Sequence, residues 1–167
     1  ASYAYDNCGR QLTSIAGGVT TSTVYNNAGW VTSRSNGVTT TTYEYDSVGN
    51  QTQMSVSGRA PVAHQYDAAN QLTRTSQTAD SVTIATSYLR DPAGRITQQI
   101  DPLDYLTNSL YNAADRLTKL SQQITGANYL NTTYVYDPNG RQTHVAFDNG
   151  PVRDTAYDLA GQVTQTT

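Results

Sequence analysis

The chain has 167 residues, a net charge of -3, a charged fraction of 14% and a mean hydropathy of -0.56. This balance lacks the basic bias of nucleic-acid binders, and no window approaches the ~18 apolar residues of a membrane span. We therefore expect a soluble chain, 1–167, that forms a single repeat array, binds no nucleic acid and has no membrane span.

An internal repeat fills the whole chain. The stretch YEYDSVGNQT at 43–52 returns as YVYDPNGRQT at 134–143. Aligning all copies on the second tyrosine gives eight anchor positions, which are Tyr5, Tyr25, Tyr45, Tyr66, Arg90, Tyr111, Tyr136 and Tyr157. Subtracting these numbers gives a period of 20 to 25 residues. A period of this size is the signature of a repeat architecture.

A turn signal follows each anchor. The next residue is always Asp or Asn, and it is Asp6, Asn26, Asp46, Asp67, Asp91, Asn112, Asp137 or Asp158. Four positions after the anchor stands a residue that tolerates positive φ, which is Gly9, Gly29, Gly49, Asn70, Gly94, Asp115, Gly140 or Gly161. An Asx side chain can bond the backbone two residues on, and a left-handed residue at this distance ends a common hairpin loop. We interpret these positions as structural repeat turns.

A second turn signal lies between successive anchors. It is carried by Gly17-Gly18, Asn36-Gly37, Ser57-Gly58, Asp101-Pro102, Thr125-Gly126 and Asn149-Gly150, and it is weakest near Thr78–Asp80. Each repeat therefore holds two strands of roughly seven residues, near the usual strand length. We predict an all-β fold of repetitive antiparallel hairpins in one continuous sheet, which must curve because twist accumulates beyond ~10 strands. Pro61 is expected to mark a bulge or an edge within a strand.

The tyrosines of each repeat are predicted to share one face of the sheet. In VTTTTYEYD, period-2 geometry places Thr41, Tyr43 and Tyr45 on one face and Thr42 and Glu44 on the other. Equivalent strands of neighbouring hairpins lie ~10 Å apart, so tyrosine rings and intervening side chains can cover that face together. The small supply of apolar residues favours a wall that is wet on at least one side.

Reactive clusters are not visible in the sequence. Cys8 has no partner for a disulfide, and His64 and His144 are far apart and next to no acid. We therefore expect no catalytic residues, no metal site and no cofactor. Calcium binding is disfavoured because each turn supplies one Asx oxygen group where such sites usually need several. Glycan binding by the tyrosine face with Arg10, Arg95, Arg116 and Arg141 stays open.

Several of these stretches resemble a known family. YDNCGRQLT, YEYDSVGNQT, YNAADRLT, YVYDPNGRQT and YDLAGQVT are similar to the YD repeats of bacterial Rhs and wall-associated proteins, of insecticidal toxin-complex shell proteins and of animal teneurins. The resemblance implies a long β-sheet that spirals into a hollow shell around a C-terminal cargo domain. Arg90 departs from the tyrosine of the pattern, and Trp30, Asn50, Gln71 and Gln162 stand where the family often has arginine.

The resemblance also raises the question of self-cleavage, because the family's shells end in an aspartyl autoproteolytic region. The Asp-Pro dipeptides at Asp91 and Asp137 are superficially similar to it. Both fall in the turn positions of the repeat, and we interpret them as turn residues.

Three function classes follow from these observations. The leading one is a non-catalytic wall segment of a secreted or cell-surface bacterial Rhs/YD protein, which encloses or scaffolds a toxin or effector. The second is an adhesive or glycan-binding stalk or extracellular filament, and the third is an autoprotease. The chain starts without Met and stops within the repeat pattern, so we expect a fragment of a longer chain. Expected partners are flanking YD repeats or identical copies joined through sheet edges that lack protective charges, besides an enclosed effector or glycans.

Overall fold

The computed structural model describes residues 1–167, and every regular element in it is a β-strand. Sixteen strands form one antiparallel sheet, in which the spatial order of the strands is their order along the chain. No helix is present that could span a membrane. The predicted fold class, consecutive antiparallel hairpins in one continuous sheet, is confirmed.

The chain divides into two compact units, Ala1–Ala85 and Thr86–Thr167. The strands of the first unit are β1 Ser2–Tyr5, β2 Gln11–Ala16, β3 Val19–Tyr25, β4 Val31–Ser35, β5 Thr40–Tyr45, β6 Gln51–Val56, β7 Val62–Tyr66 and β8 Leu72–Ala79. Strand β9 Val82–Arg90 begins in the first unit and ends in the second. The remaining strands are β10 Ile96–Ile100, β11 Leu106–Tyr111, β12 Leu117–Thr125, β13 Asn128–Tyr136, β14 Gln142–Phe147, β15 Val152–Tyr157 and β16 Val163–Thr166.

Every hairpin that turns after an anchor contains a bulge. In β5 and β6, Glu44 pairs with Gln53 while Tyr45 pairs with Gln51, so Thr52 is the extra residue. The extra residue is Leu12 in the first copy and threonine in each of the others. In five copies this threonine hydroxyl donates to the carbonyl of the residue before the anchor: Thr32 to Val24, Thr73 to Gln65, Thr97 to Leu89, Thr118 to Leu110 and Thr143 to Val135. A bulge increases the local twist of the sheet.

The weakest predicted turn, near Thr78–Asp80, is present. The structure turns at Asp80 and Ser81, with φ of 50° and 66°. The hydroxyls of Thr78 and Thr83 meet across this turn at 2.7 Å. Two successive left-handed residues match the twist of a two-residue hairpin. The absence of glycine explains why the sequence signal for this turn is weak.

The turn signal at Asp101-Pro102 belongs to a longer loop of the same kind as those after the anchors. The Asp101 carboxylate accepts hydrogen bonds from the amides of Leu103 and Tyr105, at 2.8 and 3.0 Å. Asp104 has a φ of 64° and donates its amide to the Asp101 carbonyl. The loop between β10 and β11, at the strand ends opposite the anchor turns, therefore has the same hydrogen-bond pattern as those turns.

The expectation for Pro61 is wrong. Pro61 lies just before Val62, the first residue of β7, and does not interrupt a strand. Strand β7 pairs with β6 on one side and β8 on the other, so it is not an edge strand either. A proline outside the strand removes no ladder hydrogen bond, which explains why it is tolerated.

A conventional hydrophobic core is almost absent. Val145 and Thr23 are the residues classed as buried, each 5% exposed. Large apolar side chains such as Val24, Leu110 and Val135 are more than half exposed. Stability must therefore come mainly from backbone ladders and from side-chain contacts between neighbouring strands.

Candidate functional site: a ladder of tyrosines, turns and arginines

The turn after each anchor is an Asx turn with a fixed set of hydrogen bonds. At Asp137, the amide donates to the Arg141 carbonyl, Gly140 donates back to the Asp137 carbonyl, and the Arg141 amide donates to Asp137 Oδ1, each at 2.9 Å. The same carboxyl or amide oxygen accepts an amide four residues on at Asp6, Asn26, Asp46, Asp67, Asp91, Asn112 and Asp158. This pattern explains why only Asp and Asn occupy the position.

All eight residues four positions after the anchors have positive φ. The values are Gly9 80°, Gly29 87°, Gly49 103°, Asn70 60°, Gly94 81°, Asp115 59°, Gly140 89° and Gly161 84°. Asn and Asp are the residue types after glycine that enter this region most readily. At Gly140, a Cβ atom would also lie 2.6 Å from the guanidinium carbon of Arg116, so a side chain here would displace that guanidinium.

The residue after the left-handed position is here called the arginine position. It holds Arg10, Trp30, Asn50, Gln71, Arg95, Arg116, Arg141 and Gln162. In three turns this position is arginine and the residue four positions earlier is aspartate. There the arginine Nε donates to the aspartate carboxylate, from Arg10 to Asp6 at 2.6 Å, Arg95 to Asp91 at 2.7 Å and Arg141 to Asp137 at 2.6 Å. Each of these three turns is thereby closed by an ion pair.

These bonds lower the pKa of Asp6, Asp91 and Asp137. The side-chain bond from Arg95 is the main cause at Asp91, and the backbone amide of Arg10 is the main cause at Asp6. At Asp137, partial burial would raise the pKa, but the amide and guanidinium of Arg141 outweigh it. Asp91 and Asp137, the Asp-Pro aspartates that follow an anchor, are thus turn residues whose carboxylates are held by arginine.

The arginines also contact the next hairpin. The guanidinium carbon lies over the next anchor ring, at 4.8 Å for Arg10 on Tyr25, 4.9 Å for Arg95 on Tyr111, 5.7 Å for Arg116 on Tyr136 and 4.7 Å for Arg141 on Tyr157. Nη1 of the same arginines donates to the backbone carbonyl of the next Asx residue, which is Asn26, Asn112, Asp137 or Asp158. One side chain therefore joins two turns.

The anchor tyrosines return the contact. Six of their phenolic hydroxyls donate to a backbone carbonyl of the preceding hairpin, at 2.8 to 3.1 Å. The acceptor is always the residue directly after the arginine position: Tyr25 to Gln11, Tyr45 to Val31, Tyr66 to Gln51, Tyr111 to Ile96, Tyr136 to Leu117 and Tyr157 to Gln142. We call this series of linked tyrosines, Asx turns and arginine positions the ladder. Its four arginine-covered rings and six bonded hydroxyls are engaged within the sheet.

Two substitutes for arginine keep the link by different chemistry. Trp30 packs against Tyr45 with ring centroids 5.3 Å apart and lies on Gly49, where a Cβ atom would be 2.8 Å from the indole. Asn50 donates through Nδ2 to Asp46 in its own turn at 2.8 Å and to Asn70 in the next turn at 2.9 Å. The position therefore serves to connect hairpins even without a cation.

The remaining candidate groups are not assembled into a reactive centre. Cys8 is exposed and free, and no group of three or more His, Cys, Asp or Glu residues could hold a metal ion. The expectation that no acid orients a histidine is wrong for His144, since its Nδ1 lies 2.6 Å from Asp154 Oδ1. The two residues are direct partners in the β14–β15 register, a long-range pairing that the sequence does not display. No hydroxyl or thiol nucleophile bonds this pair.

A family of known repeat proteins matches part of the chain that carries the ladder. Residues 66–106 match the family model of the RHS repeat. This match and the fold confirm the resemblance to Rhs and YD-repeat proteins. No curated protein sequence matches the chain.

Solved structures with the same fold come from toxin complexes. The crystal structure of TcdB2-TccC3 without its hypervariable C-terminal region is 17% identical with a TM-score of 0.67, covering 96% of this chain and 8% of that chain. The Photorhabdus luminescens Tc holotoxin pore with a TccC3 mutation is 15% identical with a TM-score of 0.54, covering 94% and 12%. The chain thus spans 8% to 12% of the length of these two chains.

Proposed function

We propose that this chain is a non-catalytic wall segment of a longer secreted or cell-surface Rhs/YD-repeat protein. In this proposal residues 1–167 form a single array of about eight repeats within a shell that encloses or scaffolds a C-terminal toxin or effector. The observation that carries the proposal is the ladder, because its contacts join neighbouring hairpins within each of the two units and so favour extension of the sheet.

The energetics of the sheet support a wall. With only Val145 and Thr23 buried, the fold gains little from a packed core. Hydrogen bonds, ion pairs and cation–π contacts between neighbouring hairpins replace that contribution. Such contacts repeat at a fixed spacing, so each added hairpin brings its own share of stability, as in other repeat proteins.

The wall proposal includes a C-terminal effector by analogy. One similar solved structure is of TcdB2-TccC3 lacking a hypervariable C-terminal region. We assign the corresponding role here to a segment that follows the wall in the parent polypeptide. Flanking repeats of that polypeptide are then the partners of the sheet edges.

A glycan-binding stalk is the weaker alternative, because the features suggested for sugar stacking have other uses. Arg10, Arg95, Arg116 and Arg141 cover tyrosine rings, and the hydroxyls of those tyrosines bond backbone carbonyls. A sugar would have to displace these contacts.

The absence of catalysis can be tested at the Asp-Pro turns of Asp91 and Asp137, which follow an anchor. Asp91→Asn and Asp137→Asn retain an Asx side chain at the turn but remove the carboxylate needed by an aspartyl autoprotease. We expect the purified chain and both variants to give the same band pattern after incubation. Cleavage of the unchanged chain that either substitution abolishes would contradict the proposal.

Enclosure is tested on the complete polypeptide that contains this segment. Limited digestion with a broad-specificity protease should leave the C-terminal effector intact while the isolated effector is degraded. Adding denaturant to just above the unfolding midpoint of the wall should remove the protection. Equal digestion rates for the enclosed and isolated effector would reject a shell.

A further inference from the structure

Three asparagines directly precede a glycine, and each lies in a different turn. They are Asn36, Asn139 and Asn149, and all three are exposed to solvent. Asparagine is a thermolabile residue. Before glycine it is especially so, because the glycine nitrogen can attack the side-chain carbonyl carbon and displace ammonia. The dipeptide is the same at all three sites, so a large difference in reactivity between them must come from the folded structure.

The side chain of Asn36 differs from the other two in its hydrogen bonds. In the turn between β4 and β5, Asn36 Oδ1 accepts the backbone amides of Val38 at 3.1 Å and Thr39 at 2.8 Å. Two donors on one carbonyl oxygen make its carbon more electrophilic, and they are in place to stabilise the oxyanion that forms when a nucleophile adds. The side-chain oxygens of Asn139 and Asn149 accept no such bonds. Only Asn36 therefore presents an activated carbonyl.

The glycine nitrogen beside Asn36 also has a distinct partner. The Gly37 amide donates to the Ser35 hydroxyl oxygen at 3.3 Å, so an acceptor for the proton that the nitrogen must lose is already in contact. The amides of Gly140 and Gly150 donate instead to a backbone carbonyl of their own turn, at 2.9 and 3.3 Å. Reaction at those two glycines would break a bond that closes the turn, whereas reaction at Gly37 would not.

The space around the glycine further separates the three sites. A Cβ atom on Gly37 would meet nothing within 4 Å. The same atom would lie 2.6 Å from the guanidinium carbon of Arg116 at Gly140, and 2.9 Å from Cβ of Phe147 at Gly150. Ring closure moves the backbone of the turn, and only the Gly37 turn has open space for that movement.

A cation lies beside the Asn36 turn. Arg34 lines a cavity of 390 Å³ together with Asn36, Thr21, Thr39 and Thr41. Arg34 belongs to none of the ion pairs of the chain, so no carboxylate neutralises its charge. This charge favours the negative oxygen that develops on Asn36 during attack and the carboxylate that is formed at the end.

We infer that the Asn36-Gly37 turn is a self-modification site that converts Asn36 to aspartate or isoaspartate. The Gly37 nitrogen bonds to Asn36 Cγ and loses its proton through Ser35 Oγ. The bond from Cγ to Nδ2 then breaks, and Nδ2 gains one proton and leaves as ammonia. Water opens the resulting succinimide ring at either of its carbonyls, so no oxidant or cofactor is needed.

The modification alters one hairpin of the sheet. Either product adds a negative charge to the β4–β5 turn, and isoaspartate also adds a methylene group to its main chain. Each molecule reacts once, so the inference goes beyond the wall proposal without making the segment an enzyme.

Peptide mapping of the purified chain measures the three sites separately. Trypsin, which cleaves after arginine and lysine, places Asn36 in peptide 35–59, Asn139 in 120–141 and Asn149 in 142–153. The folded chain is incubated at mildly alkaline pH in water labelled with heavy oxygen and then digested in ordinary water. Label located at each asparagine by fragmentation reports hydrolysis of its succinimide. We expect Asn36 to react roughly 10-fold faster than the other two, or more.

Two controls separate the folded structure from the dipeptide. In urea above the unfolding midpoint, the three asparagines should react at similar rates, because the contacts that distinguish them are lost. Ser35→Ala removes the proton acceptor and should slow the reaction of Asn36 in the folded chain several-fold. Ser33→Ala is the matched variant on the same strand, and it should leave the rate unchanged because the Ser33 hydroxyl makes no hydrogen bond to the turn. Urea unfolding should show that both variants are folded during the incubation.

Three results would overturn the inference. They are a folded-chain rate at Asn36 that does not exceed the rates at Asn139 and Asn149, a difference between the sites that persists in urea, and an unchanged rate with Ser35→Ala. None of them bears on protection of the effector, which tests the wall proposal separately.

Discussion

The guanidinium of Arg141 lies over the ring of Tyr157, with its central carbon 4.7 Å from the ring centroid. The same side chain donates to the Asp137 carboxylate at 2.6 Å and to the Asp158 carbonyl at 3.0 Å. Tyr157 in turn donates to the Gln142 carbonyl at 3.0 Å. A single pair of residues thus fixes two consecutive turns relative to each other, which predicts where the fold is most sensitive.

A double-mutant cycle should reveal coupling between Arg141 and Tyr157. Arg141→Gln removes the cation and Tyr157→Leu removes the ring. The double variant should lose about 0.5 to 2 kcal/mol less unfolding free energy than the sum of the two single losses. Urea unfolding measures all four variants. Arg153 and Tyr157 do not contact each other, so the same cycle on this pair is a control that should be additive within about 0.5 kcal/mol.

Gly140→Ala should destabilise the fold more than Gly161→Ala. Both glycines have left-handed φ, 89° and 84°, so both substitutions carry a backbone cost of about 1 to 2 kcal/mol. Only at Gly140 would the new Cβ overlap a neighbouring side chain, that of Arg116, while at Gly161 it would lie 3.6 Å from Arg141. We expect a further loss of about 1 kcal/mol at Gly140, because the displaced Arg116 would lose its contacts with Tyr136 and the Asp137 carbonyl. Equal melting temperatures for the two variants would argue against close packing of Arg116 on the turn.

Asn112→Asp should stabilise the chain at neutral pH. Arg116 follows an asparagine turn, has no carboxylate partner there, and lies farther from its tyrosine, at 5.7 Å, than the other ladder arginines. A carboxylate at 112 would hold Arg116 as Asp137 holds Arg141, adding about 0.5 to 1 kcal/mol that high salt should reduce. The same change at Asn26, where Trp30 occupies the arginine position, is a matched control with no expected gain. A stabilisation that is insensitive to 1 M salt would contradict an ionic origin.

The turn aspartates predict loss of stability in acid. The Arg95 guanidinium bond lowers the pKa of Asp91 below its ordinary value of 3.8. A folded pKa below the unfolded one favours the folded state at pH values above the unfolded pKa, and this advantage is lost as pH falls through the folded pKa. The urea concentration at the unfolding midpoint should therefore decrease as the pH is lowered below about 4. Asp91→Asn should reduce the steepness of that drop, and an unchanged pH profile would show that the Asp91–Arg95 pair contributes nothing to it.

Local chemistry explains what could be predicted before the structure was known. An Asx residue followed by a left-handed residue specifies its turn through contacts within five residues, and alternation of side chains follows from strand geometry alone. The repeat period then predicts consecutive hairpins. The glycine-free turn at Asp80–Ser81 gave only a weak signal, because it lacks the residue that most often marks a left-handed position. The expectation at Pro61 failed, because the sequence does not show whether a proline lies inside a strand or just before it.

The role of threonine in the bulge was not anticipated. Thr118 and Thr143 stand seven positions after their anchors, and the recurrence of threonine there was a readable signal. Its meaning required the register, since the hydroxyl bonds a carbonyl eight residues earlier on the paired strand. A periodic residue therefore indicated the position but not the bond.

The sequence by itself determined the strands, the Asx turns and the left-handed positions, because these depend on interactions between residues close in the chain. Only the tertiary structure decided that Arg141 belongs with Tyr157 and that His144 faces Asp154. Those relationships cross from one strand or hairpin to the next. Strand register decides them, because it fixes which distant backbone atoms and side chains come within bonding distance.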